Sequence, residues 1–391
     1  MTTPALTPAL TPALIAALAF SNFVTGMGAF VVVGTVEPVA DGLGISTARA
    51  GTLLSYYALA YAVLSPLLVT ATGALPRRLV LATGLSVFGL AAFLGALAPT
   101  FETLAASRVM AALGACVLTP VTAAIAAGLA PPERRARTIA FVFLGVTVSQ
   151  VLGVPLGSWL AYTFGWRVAL ASVAILSIPA LILLLSRVPK GLPFQAARFA
   201  DLGVVLSSPT MLTATLFTAT FMTAVFMLYT FLAPLLSETM AFGRTGITLT
   251  LFLFGIGAVI GNLAGGVLSD RLSPMRLLST VTLLMVPMMA FFSFLPVPPL
   301  AFFAWTVVWS SIGWSFGAAQ QARLVGLCGA KAPVALSLHA AFIFGGSAVG
   351  ASLGALVAAS AGYGALGLAA AVMMAVAFLH LQVSRRLPAP A

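Results

Sequence analysis

The sequence is a succession of apolar blocks, each long enough to cross a bilayer and separated from the next by a short polar or Pro/Gly break. About 20 apolar residues at 1.5 Å rise span the ~30 Å hydrocarbon core. The blocks predict helical spans at 12–38, 48–72, 79–97, 103–129, 138–162 and 167–187. A second set is expected at 209–237, 246–268, 277–296, 299–325, 335–359 and 364–383. The alternating ~10-residue strands of an outer-membrane barrel are absent. The chain is 61% hydrophobic and 6% charged, against roughly 25% charged in a soluble domain, so it has too little charge to cover a water-facing surface. An all-α membrane protein of twelve helices is the expected fold class.

The net charge of +11 could point to a polyanionic partner, but the positions of the charges argue otherwise. With both termini placed inside, the cytoplasmic loops collect Arg77, Arg78, Arg134, Arg135, Arg137, Arg187, Lys190, Arg198, Arg271, Arg276, Arg323, Lys331, Arg385 and Arg386. Only Arg49, Arg167 and Arg244 fall outside, and Arg108 falls within a span. This asymmetry is the positive-inside bias. It predicts cytoplasmic termini, a lipid bilayer as the surroundings and no nucleic-acid partner. Cys116 and Cys328 are read as lying in a span and in a loop, with no disulfide framework implied. The N-terminal TPAL repeat lacks a basic segment and is expected to be a frayed lead-in rather than a cleaved signal peptide.

Residues 151–166 (VLGVPLGSWLAYTFGW) and 348–363 (AVGASLGALVAASAGY) align at an offset of 197, which pairs Gly153 with Gly350, Leu156 with Leu353 and Gly157 with Gly354. The basic loops after spans 2 and 8, LPRRL and SDRLSPMRL, fall near the same offset. Two duplicated six-helix halves are a transporter pattern, and glycines four apart let helices approach closely. The expected division is an N-terminal half at 1–187, a cytoplasmic linker at 188–208 and a C-terminal half at 209–391.

Several stretches carry a family resemblance: FVVVGTVEPVADGLGISTARAG (30–51), SPLLVTATGALPRRLVLATGL (65–85), ASRVMAALGA (106–115) and APPERRARTIAFVFLGVTVSQVLGVPLGSWLAYTFGWR (130–167). Taken together the chain resembles the major facilitator superfamily along nearly its whole length. Within it the chain is most similar to the drug:proton antiporter-1 branch, including bacterial sugar, purine and chloramphenicol exporters. The resemblance implies two pseudo-symmetric six-helix halves, alternating access and a functional arginine at Arg108 linked to proton transfer. It also implies a cytoplasmic gate at Arg77, Arg78, Asp270 and Arg271. Two departures stand out. Gly73 and Pro76 occupy the loop where the general family has an acid and a glycine, and Ala29 stands where this branch often has an acid.

A charge at mid-bilayer costs ~2.5–3.5 kcal/mol on insertion scales, so the embedded ionisable groups Glu37, Arg108 and His339 each need a reason. Pro38 is expected to end the first helix at Glu37. Glu37 is then a rim group or a proton site, eight residues outward of Ala29. Arg108 either faces a solute path or snorkels toward Glu102 or Glu37. His339 can take up a proton, bind solute or tie helices together, and His380 is read as interfacial. Asn22, Thr25 and Ala29 share one helix face. With Tyr57, Thr119, Gln150, Tyr229, Trp309, His339 and Phe342 the polar members form the candidate substrate contacts, against the ordinary alternative that Thr bonds its own helix and Trp marks the interface. Aromatics with few polar groups suit a small organic solute.

No HExxH, Walker loop or acidic metal cluster is present, so neither an enzyme, a metal nor a cofactor is expected. The expected function is export of a sugar, nucleoside or drug-like solute across a bacterial inner membrane in exchange for protons, by a monomer. A proton-independent facilitator is the first alternative and a transporter-like sensor the second.

Overall fold

The structure, a computed structural model, describes residues 10–192 and 198–388. The TPAL lead-in at 1–9 and part of the expected linker, 193–197, lie outside the described residues. The chain packs as two compact units, Met1–Phe199 and Ala200–Ala391.

In the first unit the helices are α1 (Pro12–Phe30), α2 (Val36–Leu43), α3 (Thr47–Ala71), α4 (Arg77–Ala96), α5 (Phe101–Leu129), α6 (Arg135–Phe164) and α7 (Trp166–Arg187). Local chemistry sets their ends. Thr11 caps α1 by accepting from the Leu14 N–H, with Pro12 in the first turn, where its missing donor costs nothing. Thr100 and Thr103 form a reciprocal capping box at the start of α5, satisfying two of the orphan donors of a helix start. Gly165, at φ +94°, turns the chain from α6 directly into α7, a conformation that L side chains avoid.

One expectation fails here. Pro38 does not end the first helix. Helix α1 stops at Phe30, a 3₁₀ turn runs over Val31–Thr35, and Glu37 and Pro38 lie in the first turn of α2. Proline is compatible with a first turn because those N–H groups lack intrahelical partners anyway, and an acid there complements the helix dipole.

The second unit contains α8 (Phe199–Ser207), whose first residue falls at the unit boundary, then α9 (Pro209–Tyr229), α10 (Leu232–Met240), α11 (Arg244–Leu272) and α12 (Pro274–Ala290). It continues with α13 (Pro299–Trp314), α14 (Phe316–Cys328), α15 (Ala332–Ala361) and α16 (Leu366–Arg386). The expected linker therefore holds a helix, α8, and Cys328 is the buried last residue of α14 rather than a loop residue. Eleven runs among the described residues are long and apolar enough to cross a bilayer. One of them, Pro299–Ala361, is 63 residues long and at 1.5 Å per residue far exceeds one ~30 Å crossing. Its helical run is interrupted at Ser315, between α13 and α14, and breaks at Gly329 (φ +50°) before α15 begins. Splitting it at that break gives the twelfth span, with α13 and α14 together forming one interrupted crossing.

The packing partners of the first unit recur in the second. In the first, α1 lies along α6 and α7, α4 along α5 and α7, and α3 along α5. In the second, α9 lies along α15 and α16, α12 along α14 and α16, and α11 along α13 and α14. The glycine pair Gly157 and Gly354, at the 197 offset, marks a close approach in each unit. A Cβ on Gly157 would meet the Val31 side chain at 2.6 Å, and one on Gly354 would meet the Met227 carbonyl of α9 at 2.6 Å. Outward faces carry apolar stripes at helical spacing. Ile175, Ile178 and Ile182 lie exposed on α7, and Leu368, Val372, Val376, Leu379 and Val383 on α16. Such stripes suit lipid, where leucine and isoleucine find a solvent as apolar as themselves.

Candidate functional site

The candidate residues of the first unit fall into two buried groups and a rim. Asn22 on α1 is fully buried, and its Nδ2 donates to the Thr122 hydroxyl of α5 at 3.0 Å and to the Val142 carbonyl of α6 at 3.3 Å. It ties three helices together. Thr25 spends its hydroxyl hydrogen on its own helix, 3.1 Å from the carbonyls of Ser21 and Asn22, as threonine often does.

The second group centres on Arg108 of α5. The residue is 3% exposed, and its guanidinium lies over the Tyr57 ring of α3, 4.8 Å from the centroid. Nε and Nη2 are buried without a hydrogen-bond partner among the described residues. The cation–π contact offsets part of the desolvation of a buried cation but leaves these donors unmet. Tyr57 packs on Tyr61, with centroids 6.0 Å apart, and Tyr61 shares a hydrogen bond with Thr119.

The rim does not serve Arg108 in the way the sequence suggested. Glu102 pairs with Arg49 at 2.7 Å, in an exposed bridge. Glu37 is exposed and its carboxylate accepts from the Tyr162 hydroxyl of α6. Neither acid reaches the buried guanidinium, so among the described residues Arg108 has no carboxylate partner. Gln150, on α6, is half-buried and takes no part in the hydrogen bonds above.

In the second unit the tertiary fold assembles residues that the sequence keeps far apart. His339 of α15 is 2% exposed, and its Nδ1 lies 2.8 Å from the Thr218 hydroxyl of α9. Gln320 of α14, also fully buried, places Nε2 2.7 Å from the Ala214 carbonyl and 3.3 Å from the same Thr218 hydroxyl. His339 Nε2 and Gln320 Oε1 are buried without partners among the described residues. The Phe316 ring stands 6.2 Å from the imidazole and stacks on Phe221 at 4.1 Å. A second aromatic group joins Tyr229, Phe254 and Trp309 through centroid distances of 4.6 and 5.2 Å, and the Trp309 indole N–H is buried without a partner among the described residues. Phe342 is half-buried on α15.

Sequence reasoning missed Thr218 and Gln320. The only signal for Gln320 is the polar pair QQ inside the apolar run SFGAAQQARL, and Thr218 is one of several threonines on α9. His380, expected to be interfacial, is half-buried on α16, with Nε2 2.9 Å from the Thr213 carbonyl and Nδ1 3.0 Å from the Thr220 hydroxyl. Arg323 of α14 is likewise held inside, donating to the Ser384 hydroxyl at 2.7 Å.

The basic pair after α3 opens a groove of 410 Å³ lined by Arg77, Arg78 and Lys190 together with Leu79, Leu185 and Leu192. Arg77, the first residue of α4, is 4% exposed. Asp270 and Arg271 lie in the last turn of α11, half-buried and exposed respectively. Among the described residues no group of three or more His, Cys, Asp or Glu could hold a metal ion.

Residues 18–327 match the model of the Major Facilitator Superfamily. The inner membrane transport protein YdhP of Escherichia coli K12 is 30% identical over 371 residues, 95% of each chain. A chloramphenicol resistance protein of Streptomyces lividans is 34% identical over 258 residues, 65% of this chain and 66% of its own. The fold matches the crystal structure of the transporter FucP in its outward conformation, with a TM-score of 0.77 at 16% identity over 95% of this chain and 99% of that one. With a family match over most of its length, a relative aligned end to end and a shared fold, this chain is a multi-pass membrane transporter, not an enzyme, and belongs to the Major Facilitator Superfamily.

Proposed function

We propose that this transporter exports a small, uncharged organic solute across a bacterial inner membrane in exchange for protons, by alternating access, as a monomer with both termini cytoplasmic. The observation that carries this reading is surplus hydrogen-bonding capacity buried in otherwise apolar helices. The capacity sits at Arg108 Nε and Nη2 in the first unit, and at His339 Nε2 and Gln320 Oε1 in the second. Buried donors and acceptors left unmet cost about 1–3 kcal/mol each. A solute that satisfies them in one state and not in the other shifts the conformational equilibrium by that difference. Asn22, Thr25, Tyr57, Thr119, Gln150, Tyr229, Trp309 and Phe342 are assigned as the other candidate contacts, and Arg77, Arg78, Asp270 and Arg271 as a cytoplasmic gate.

The proton-coupling residues assigned are His339 as the proton site, Arg108 as a fixed charge and Glu37 as a rim group. An imidazole can carry a proton near neutral pH, whereas the exposed Glu37 and Glu102 already have the partners Tyr162 and Arg49. The relationship to a chloramphenicol resistance protein makes chloramphenicol the first probe. The purified transporter in proteoliposomes is expected to move chloramphenicol against an imposed pH gradient, and His339→Asn to leave transport indifferent to that gradient. Wild-type transport that ignores the gradient would establish the competing reading, a proton-independent facilitator. That reading is favoured by Ala29, a buried alanine where related antiporters often carry an acid.

A further inference from the structure

The hydrogen atoms of the second-unit cluster follow from its heavy atoms. A backbone carbonyl can only accept, so the Gln320 side-chain atom 2.7 Å from the Ala214 oxygen is the amide nitrogen, and the orientation of that amide is settled. Its nitrogen also approaches the Thr218 hydroxyl at 3.3 Å, so the Thr218 oxygen accepts from Gln320. The Thr218 hydroxyl hydrogen remains. Its neighbours Thr215, Thr220 and Thr223 on α9 each donate that hydrogen to a carbonyl three or four residues back. Thr218 instead lies 2.8 Å from His339 Nδ1. A hydrogen donated there makes Nδ1 an acceptor, and the imidazole hydrogen must then sit on Nε2. That nitrogen is buried and has no partner among the described residues.

We propose that Gln320 and Thr218 form a one-directional relay that holds His339 as its Nε2–H tautomer. The relay presents this N–H as a ready hydrogen-bond donor for an oxygen acceptor on the transported solute. Gln320 and Thr218 are positioning residues, acting through His339. The class is therefore an uncharged compound bearing a carbonyl, nitro or hydroxyl oxygen. A neutral N–H neither requires nor rewards a negative charge, whereas a fixed tautomer spares the ring from reorganising when the solute arrives. The donor role rests on the transporter reading above. The tautomer assignment does not.

The chain has only two histidines, which makes the relay directly observable. In ¹⁵N-histidine-labelled protein in nanodiscs, long-range ¹H–¹⁵N spectra distinguish a pyrrole-like Nε2 from a pyridine-like Nδ1. His380→Gln assigns the second set of signals. Wild type is expected to show His339 as the Nε2–H form, and Thr218→Val to lose that preference while His380 is unchanged. Thr218→Ser restores the donor and should restore the tautomer, which separates the relay from a general loss of fold. Chloramphenicol should shift the wild-type Nε2 signal and bind about tenfold more weakly to Thr218→Val, the worth of one net hydrogen bond. An Nδ1–H form in the wild type, or an unaltered tautomer in Thr218→Val, overturns the relay. An unmoved Nε2 signal in protein that does transport chloramphenicol overturns the donor assignment. Failure to transport chloramphenicol counts against that solute in the preceding section, and the relay is still decided by the tautomer spectra.

Discussion

Asn22, Thr122 and the Val142 carbonyl in the first unit, and Thr218, Gln320 and His339 in the second, are the same polar knot made twice. Asn22 to Thr218 is an offset of 196 residues, Thr122 to Gln320 is 198, and Val142 to His339 is 197. Each knot joins the first, fourth and fifth spans of its unit. They differ in what the fifth span supplies. Val142 offers a main-chain carbonyl, which closes the first knot as a clamp. His339 offers a side chain with two nitrogens, of which the knot uses one. Duplication has kept a meeting point of three helices polar, and among the described residues each copy leaves buried capacity unmet, an amide acceptor at Asn22 Oδ1 in the first and the Gln320 Oε1 and His339 Nε2 atoms in the second.

The helix seams show a related exchange. In the first unit the close pair is Gly26 on α1 against Ser149 on α6, where a Cβ on Gly26 would collide with the Ser149 hydroxyl. At the same offset of 197 the second unit has Thr223 on α9 against Gly346 on α15, with the Thr223 hydroxyl 3.2 Å from the Gly346 carbonyl. The glycine has changed sides while the gap between backbones has stayed small. What matters at such a seam is the summed volume of the pair, because helix association in lipid depends on close packing rather than on hydrophobic expulsion.

The largest expected effect tests the seams. A Cβ on Gly145 would overlap the Ala19 carbonyl of α1, so Gly145→Val should force α1 and α6 apart and remove most folded protein from a size-exclusion profile. Overpacking of this kind costs roughly 1–3 kcal/mol or more. Gly153→Ala, about two turns along the same helix, meets only a 3.4 Å contact and should remain monodisperse with a near-native melting temperature. Equal damage from both would remove close packing as the reason for these glycines.

The next effect separates the knots. Asn22→Leu removes two hydrogen bonds between helices, to the Thr122 hydroxyl and the Val142 carbonyl, and should destabilise the protein by about 1–3 kcal/mol. His339→Leu also removes a donor that was never satisfied, so its thermal destabilisation should be clearly smaller, with solute binding reduced instead. If both lower the melting temperature equally, His339 is a clamp like Asn22 and the contrast between the units disappears.

The smallest effect is a coupling. Gly26→Ala should be destabilising alone and largely rescued by Ser149→Gly, which recreates the second unit's arrangement in the first. A double-mutant cycle should return an interaction of about 0.5–3 kcal/mol. Additive effects would mean that the two positions do not share one gap.

Much of this molecule is legible in its sequence. Apolar blocks locate the spans to within a few residues, since Arg77–Ala96 and Trp166–Arg187 begin and end close to the expected 79–97 and 167–187. The repeat at 197 anticipates the duplicated packing, and the loop and helix motifs anticipate the family. The first span was misjudged because a proline can end one helix or sit in the first turn of another, and only the 3₁₀ turn at Val31–Thr35 decides between the two. The polar partners were harder still. Glu37 meets Tyr162, 125 residues on, and His339 meets Thr218 across 121.

The physical reason lies in what each level of structure sums. Transfer into a bilayer adds up along the chain, residue by residue, so the sequence by itself determines that this protein enters a membrane and where its helices run. A hydrogen bond between helices depends on the rotation and register of both, set by the close approach of backbones at glycines such as Gly145 and Gly346. Which buried groups are satisfied, and that Arg108 and His339 keep donors to spare, only the tertiary structure decided.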